Sequence, residues 1–337
     1  MTRLLVTSIA VLALALAACG SSETNPPPAE PAESPPLGPE PAGEVLSLGG
    51  EAEGVVVDAK TGLAAVALRD PDRIDLVDVG EAEVVDQVAT PESARHLSLA
   101  EAGVVLAPIE YEDTLLRIEL AEGRVTPAPT GDFPHDAALA ENGRIFVGDE
   151  GGDTITVLEG ERTVDTLPAP EQPGGVAIAE GILAAVAVAA REVAFYDTET
   201  LEQLAVEPGG AGPSHIVAGD DDRFYVADTG GDAILVYEAL NGDGQAAPRL
   251  LDRTNLPGSP YGIAIDPKRD RLWVTRTAAN RVVELEITEL APKIIDSFPT
   301  VRQPNSVGVD ERTGEVVVAG RGGDLQVFDP EKEREGG

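Results

Sequence analysis

Short apolar runs separated by turns rich in Gly, Asp and Asn recur along the chain in seven copies of one pattern. Each copy contains three runs rich in Val, Ile and Leu, and most copies have a weaker fourth run. Runs of this length and composition predict antiparallel β-strands rather than helices. The copies start about forty residues apart, a period typical of propeller blades. The residues that open the seven copies are Gly54, His96, Asp136, Gly175, His215, Gly262 and Ser306.

The seventh copy has no fourth run, because Asp329 is followed only by a charged tail. The apolar run at residues 45–49 precedes the first copy and is otherwise unassigned. We therefore predict that it pairs with the last blade and closes the ring, which also protects the edges of the sheets. The predicted fold is all-β: a seven-bladed β-propeller of four-stranded antiparallel blades over residues 44–330, closed by an N-terminal strand.

Two of the copies carry motifs of a known repeat. They are PSH at residues 213–215, FYVAD at 224–228, ILVY at 234–237, PYG at 260–262 and LWVTR at 272–276. In these motifs the chain resembles propellers of the YVTN type, and the similarity spans residues 45–329. The resemblance implies the fold more strongly than an activity, because such domains include surface-layer and binding proteins as well as lactonase-like enzymes.

The first eighteen residues have a basic start, an apolar centre and small residues at the end, as in a secretory signal peptide. The sequence LAACG at residues 16–20 resembles the lipobox of bacterial lipoproteins, which predicts lipidation of Cys19, the only cysteine. The alternative is an ordinary signal peptide with an incidental cysteine. Residues 19–43 are rich in Pro and predict an extended, disordered tether. Residues 331–337 form the charged tail.

The formal charge of −36 disfavours binding to nucleic acids and anionic lipid headgroups, because phosphate groups would be repelled. The signal predicts an extracytoplasmic protein that contacts the membrane only through its N-terminal lipid, at the cell surface or in the periplasm. We expect a monomeric propeller whose partner is an extracytoplasmic protein or a small molecule.

All three histidines of the chain fall at the start of a first strand, which in such propellers lies at the mouth of the central channel. They are His96, His135 and His215, and Asp136 follows His135. Imidazoles and a carboxylate together are candidate ligands for a divalent metal. A lyase family that amidates peptides is similar in using three channel histidines on a propeller. The alternatives are structural hydrogen bonds between blades and ligand contacts without a metal.

Loops after the second strands give a second signal on the same face. Arg69, Arg276 and Arg321 come from consecutive blades and are a candidate site for an anion or an acidic peptide. The alternative is that each arginine pairs with a loop acid such as Asp70 or Asp324. Further candidates at this face are Asp149, Asp228, Tyr261 and Asn305.

The sequence lacks a nucleophile elbow, a P-loop, a dinucleotide-binding motif and a haem-attachment motif. It predicts no certain cofactor, with a divalent metal as the candidate. The preferred hypothesis is a lipid-anchored binding or interaction scaffold that acts through its channel face, because a closed propeller is a rigid frame for variable loops. The competing hypothesis is a metal-dependent hydrolase or lyase, lactonase-like, that uses the histidines at the channel mouth.

Overall fold

The computed structural model describes residues 27–220, 222–240 and 242–336. Within them the chain forms seven antiparallel sheets of four strands. In six sheets the strands follow one another in chain order, and in the seventh the first described strand joins the last three. The structure confirms the predicted all-β, seven-bladed propeller. The predicted signal peptide and Cys19 lie outside the described residues.

The described residues form 28 strands, and the first strand of each blade lies innermost, around the channel. The first fourteen are β1 (Glu44–Ser47), β2 (Glu51–Asp58), β3 (Leu63–Arg69), β4 (Arg73–Asp78), β5 (Glu83–Ala89), β6 (Ser98–Glu101), β7 (Val104–Ile109), β8 (Thr114–Glu119), β9 (Arg124–Pro129), β10 (Pro134–Leu139), β11 (Arg144–Asp149), β12 (Thr154–Glu159), β13 (Arg162–Pro168) and β14 (Pro173–Ala179). The others are β15 (Ile182–Ala187), β16 (Glu192–Asp197), β17 (Gln203–Pro208), β18 (Pro213–Ala218), β19 (Arg223–Asp228), β20 (Ala233–Leu240), β21 (Ala246–Asn255), β22 (Pro260–Asp266), β23 (Arg271–Arg276), β24 (Arg281–Glu286), β25 (Lys293–Pro299), β26 (Pro304–Val309), β27 (Val316–Gly320) and β28 (Asp324–Phe328). Blades one to six are β2–β5, β6–β9, β10–β13, β14–β17, β18–β21 and β22–β25, and blade seven is β26–β28 with β1.

The ring closes as predicted, because β1 pairs antiparallel with β28 in the register Leu46 to Leu325. Gln326 stabilises this closure from a fully buried position. Its side-chain amide donates hydrogen bonds to the carbonyls of Ala42 and Pro299 and accepts one from the backbone of Val301. One side chain therefore joins the segment before β1 to blades six and seven.

The core consists of apolar layers between neighbouring blades. Between blades four and five, Phe195 contacts Phe224 and Tyr237 with ring centroids 5.8 and 5.7 Å apart. Small side chains such as Ala184 and Val186 are fully buried beside them. These layers hold the first strands in fixed positions around the channel, because a close-packed interior resists deformation.

The charged tail includes a short helix, α1 (Pro330–Gly336). Pro at the start of a helix and acidic residues in its first turn both favour this structure. The tail is also anchored: Arg334 pairs with the buried Glu284 and lies 5.6 Å from the ring centre of Phe298. No helix among the described residues is long and apolar enough to cross a membrane.

The Pro-rich segment also differs from its prediction where it is described. It has no regular secondary structure, but it lies along the rim of blades five to seven instead of being disordered. Ser34 is 3% exposed, and its hydroxyl donates a hydrogen bond to the carbonyl of Thr277. Sequence composition did not predict this contact, because the partners of Ser34 are more than 240 residues away in the chain.

Candidate functional site at the channel mouth

The first strands of all seven blades line a central cavity of about 410 Å³. The residues predicted at the strand openings lie at one end of it, as the repeat requires. In blade two the opening is irregular: β6 begins at Ser98, and only an isolated bridge joins Ala94 to Ile109 before it. His96 therefore lies before the paired part of β6, where the backbone makes no regular strand hydrogen bonds. Its side chain contacts the other two histidines.

The three histidines of the chain contact one another at this mouth. The rings of His96 and His215 stack with centroids 4.4 Å apart, and their Nε2 atoms are 2.9 Å apart. The ring of His135 lies 4.4 Å from that of His96. Tyr261 packs edge-on against His215, also at 4.4 Å. Residues from blades two, three, five and six therefore meet across the channel.

A group of metal-ligating side chains lies beside this cluster, between blades two and three. One ligand atom each from Glu110, His135 and Glu150 lies within 4.8 Å of the others. His135 Nδ1 is 2.8 Å from Glu110 Oε1 and 3.6 Å from Glu150 Oε2. Adjacent ligands of an octahedral ion with bonds of about 2.1 Å lie about 3 Å apart, so these separations suit a divalent cation. We call these three residues the donor set.

Burial controls the protonation of this region. Burial lowers the pKa of His135 to about 3, so its imidazole is neutral and can coordinate a metal. Burial and the neighbouring His96 hold the pKa of His215 well below its usual range. Burial raises the pKa of Glu110, against the opposing charge of Arg95. A carboxylate that is 3% exposed is costly to keep ionised unless positive charge lies nearby.

Two arginines supply part of that positive charge. Arg95 lies 3.9 Å from Glu110, and Arg69 lies 3.5 Å from Glu53. Burial opposes the charge of Arg95, but Tyr261, Glu110 and Glu53 raise its pKa. The part of the channel mouth around the donor set therefore holds four carboxylates and two guanidiniums, which gives a formal charge of −2 apart from the imidazoles. The carboxylates are those of Glu53, Glu110, Asp136 and Glu150. That charge matches a divalent cation.

Of the four residues predicted as metal ligands, the structure places only His135 in the donor set. Asp136 lies outside the donor set, although its carboxylate lines the channel and is 4.0 Å from His96 Nδ1. Its carboxylate accepts hydrogen bonds from the backbone of Ala137 and, in the next blade, of Val176. Asp136 therefore joins blade three to blade four. His96 and His215 face each other across the channel mouth.

Two of the three predicted arginines have acidic partners. Arg69 pairs with Glu53 and donates a hydrogen bond to Ser93, and Arg321 lies 3.8 Å from Glu51. Arg276 has no ion pair among the described residues, and its buried Nε has no hydrogen-bond partner. Burial and the adjacent Arg281 lower the pKa of Arg276. The pairing acids lie in β2 and not at Asp70 or Asp324.

Asp149 and Asp228 have structural surroundings. Asp149 is fully buried, accepts hydrogen bonds from Gly131, Thr154 and Thr156, and has its pKa raised by burial to about 6. Asp228 accepts two backbone hydrogen bonds from residues 211 and 212. Asn305 and Tyr261 line the channel, and burial raises the pKa of Tyr261, so its hydroxyl stays protonated.

The sequence interpretation missed Glu110 and Arg95. Glu110 follows the second strand of blade two at the position that Glu150 occupies in blade three, because Ile109 and Asp149 end those strands. In the sequence, the apolar run at residues 104–107 predicts a strand that ends at Ala107, and this hides the equivalence. Arg95 adjoins His96, so its position was readable, but its direction depends on the irregular opening of blade two.

Comparison of the sequence with protein-family models and with curated proteins finds no match. Solved structures do match. Hydrazine synthase of Kuenenia stuttgartiensis has a TM-score of 0.71 at 16% identity, over 84% of this chain and 96% of that one. Virginiamycin B lyase of Staphylococcus aureus has a TM-score of 0.68 at 16% identity, over 85% and 98%. U3-55K has a TM-score of 0.69 at 12% identity, over 83% and 92%. At these identities the similarity establishes the β-propeller fold and leaves the chemistry to the site itself.

Proposed function

We propose that the protein binds a divalent cation with Glu110, His135 and Glu150 and is a metal-dependent lyase or hydrolase of small anionic molecules. The observation that carries this proposal is the donor set: two carboxylates and a neutral imidazole from three separate chain segments, in a sector with excess negative charge. Glu110 and His135 are buried, and Glu150 is half-buried. Carboxylates with one imidazole suit a hard ion such as Mn²⁺. The ion would supply Lewis acidity at the channel mouth.

The surrounding residues fit this chemistry. His96 and His215, with nitrogens 2.9 Å apart, form a pair that can hold and transfer one proton in the channel. The guanidinium of Arg95 is 36% exposed and is the cation that can orient a carboxylate or phosphate. Gly174 keeps space open over the donor set, because a Cβ there would lie 3.0 Å from Glu150 Oε1.

Calorimetry with MnCl₂ tests the metal site on the chain from Gly20 onward after dialysis against EDTA. We expect one Mn²⁺ per chain. Glu110→Gln should reduce the affinity about 100-fold, because loss of a direct ligand should cost at least as much as loss of a group that only orients a ligand. The control is Glu53→Gln, which removes a nearby negative charge but no ligand and should reduce the affinity much less than Glu110→Gln does. Absence of binding, or equal loss in both variants, would contradict the proposal.

Catalysis needs a separate readout. A panel of lactones that carry a carboxylate or phosphate group, followed by pH-stat, should reveal turnover that is lost in His96→Ala while the Mn²⁺ content stays the same. Mn²⁺ binding without turnover of any lactone would instead support the non-catalytic scaffold, which stays a prediction from the sequence.

We also propose that Cys19 is lipidated and anchors the propeller outside the cytoplasm. The support is the motif at residues 16–20 and the position of Cys19 behind an apolar signal. Expressed in a bacterium, the intact chain should enter the detergent phase on Triton X-114 partition and incorporate labelled palmitate. Cys19→Ser should lose the label, and an intact chain that takes up no palmitate, or a Cys19→Ser variant that is still labelled, would refute lipidation of Cys19.

A further inference from the structure

The described part of the Pro-rich segment occupies a defined seat on the channel face. We call residues 29–36 the strap. Ala29 lies against Gly212 of blade five, where a Cβ on Gly212 would come within 2.4 Å of the Ala29 methyl group. The strap then passes Ser259 of blade six and reaches Gln303 of blade seven. It thus crosses three blades along the rim of the mouth.

Most of the contacts are made to the main chain of the strap. Gln303 accepts a hydrogen bond from the amide of Ser34 at 2.8 Å and donates one to the carbonyl of Ala32 at 3.1 Å. Ser259 accepts from the amide of Ala32, and Asn280 donates to the carbonyl of Pro35. Such contacts recognise an extended backbone and make few demands on the side chains.

Two side chains of the strap add selectivity. The buried hydroxyl of Ser34 donates to the carbonyl of Thr277 and accepts from the backbone of Gln303. Glu33 pairs with Arg302 at 3.2 Å, and the same guanidinium donates to the carbonyl of Ser34. The seat therefore reads an acidic residue followed by Ser, with Pro35 next in the chain holding the backbone extended.

Equivalent residues of successive blades form the surface that contacts the strap. In five blades a proline opens the first strand, and the residue before it lies on the rim; these residues are Phe133, Gln172, Gly212, Ser259 and Gln303. In blades five, six and seven this residue contacts the strap. Gln172 has the same amide as Gln303, at the same position of blade four, and provides a matched control.

We propose that the rim of blades five to seven is a binding site for extended peptides of the type Glu-Ser-Pro, and that a partner peptide can replace the strap there. Replacement is feasible because Ser34 is the one residue of the strap that is fully buried, so the strap places little apolar surface in the core. Exchange would also change the mouth, because Glu30 of the strap lies near enough to Tyr261 to raise its pKa together with burial. The site is separate from the donor set and does not depend on a metal.

The test measures binding of a fluorescein-labelled peptide, Pro28–Leu37, by anisotropy. The tethered strap competes at an effective concentration near the millimolar range, so the intact chain should bind the peptide weakly. The double variant Ala32→Pro/Ser34→Lys removes an amide donor and the buried hydroxyl from the strap while leaving the rim unchanged. It should bind the peptide at least about tenfold more tightly than the intact chain.

Rim variants in the double-variant background then locate the site. Gln303→Ala should reduce peptide affinity about tenfold, because two main-chain hydrogen bonds are lost. The control Gln172→Ala should leave it unchanged, and so should saturation with MnCl₂, which separates this site from the metal site. The proposal is overturned if the double variant, with an unchanged melting temperature, binds the peptide no better than the intact chain. It is equally overturned if Gln303→Ala and Gln172→Ala have the same effect.

Discussion

Blades two and three and blades five to seven use the same repeat positions at the channel mouth for different purposes. After the second strand, blades two and three carry Glu110 and Glu150, which face His135. Blades five and six carry Thr229 and Thr277 there, and their hydroxyls donate to nearby backbone carbonyls. The first sector thus concentrates carboxylates, whereas blades five and six carry neutral hydroxyls at the same position and the rim of blades five to seven holds the strap.

The residues before the opening prolines show the same contrast. Phe133 of blade three packs edge-on against the exposed Tyr111, with centroids 5.1 Å apart. Ser259 and Gln303 instead give their polar groups to the strap. The repeat thus places these residues at equivalent positions on the rim. The residue type then decides whether the position contacts an aromatic ring, as Phe133 does, or the main chain of the strap, as Ser259 and Gln303 do.

The largest expected effect concerns what holds the second sector together. If ring closure rather than the strap stabilises blades five to seven, Gln326→Ala should lower the free energy of unfolding by about 3 kcal/mol, because buried backbone groups lose their partners. Urea denaturation measures this. A loss below that of any strap variant would mean that the strap, and not the closure, supports this sector.

The next effect separates structural from metal-binding carboxylates in the first sector. Asp136→Ala should reduce stability by about 2 kcal/mol, because the amide of Val176 loses a buried acceptor. Mn²⁺ affinity should change by less than about threefold, because Asp136 is not one of the three residues that would bind the ion. Loss of Mn²⁺ binding without loss of stability would restore the ligand set predicted from the sequence.

The smallest effect concerns the strap alone. Ser34→Ala should lower the global free energy of unfolding by only about 1 kcal/mol, because one hydroxyl loses its hydrogen bonds at the edge of the fold. Amide hydrogen exchange in residues 29–36 should nevertheless become about tenfold faster, because local opening loses two hydrogen bonds. Unchanged exchange would show that the hydroxyl of Ser34 does not hold the strap in its seat.

Much of the fold was predictable because propeller blades are local structures. Each blade pairs strands that are adjacent in the chain, so a period near forty residues and apolar runs were sufficient to count them. The closing strand was predictable from the missing strand of the last copy. The helix α1 was not, because seven residues form a stable helix only through contacts such as that of Arg334 with Glu284.

The site was only partly predictable. Position in the repeat brought all three histidines to one face, and their contacts agree with that expectation. Position grouped Asp136 with the ligands, but its carboxylate accepts a hydrogen bond from the neighbouring blade and lies outside the donor set. Glu110 was missed because its strand was predicted to be two residues too short.

The sequence by itself determined the number of blades, the way the ring closes and the face on which the histidines lie, because all three follow from a repeat whose contacts are local. The tertiary structure alone decided which carboxylates surround His135, which arginines are paired and where the strap is bound. Those outcomes depend on side-chain directions and on contacts between residues as far apart as Ser34 and Gln303, and no local pattern encodes them.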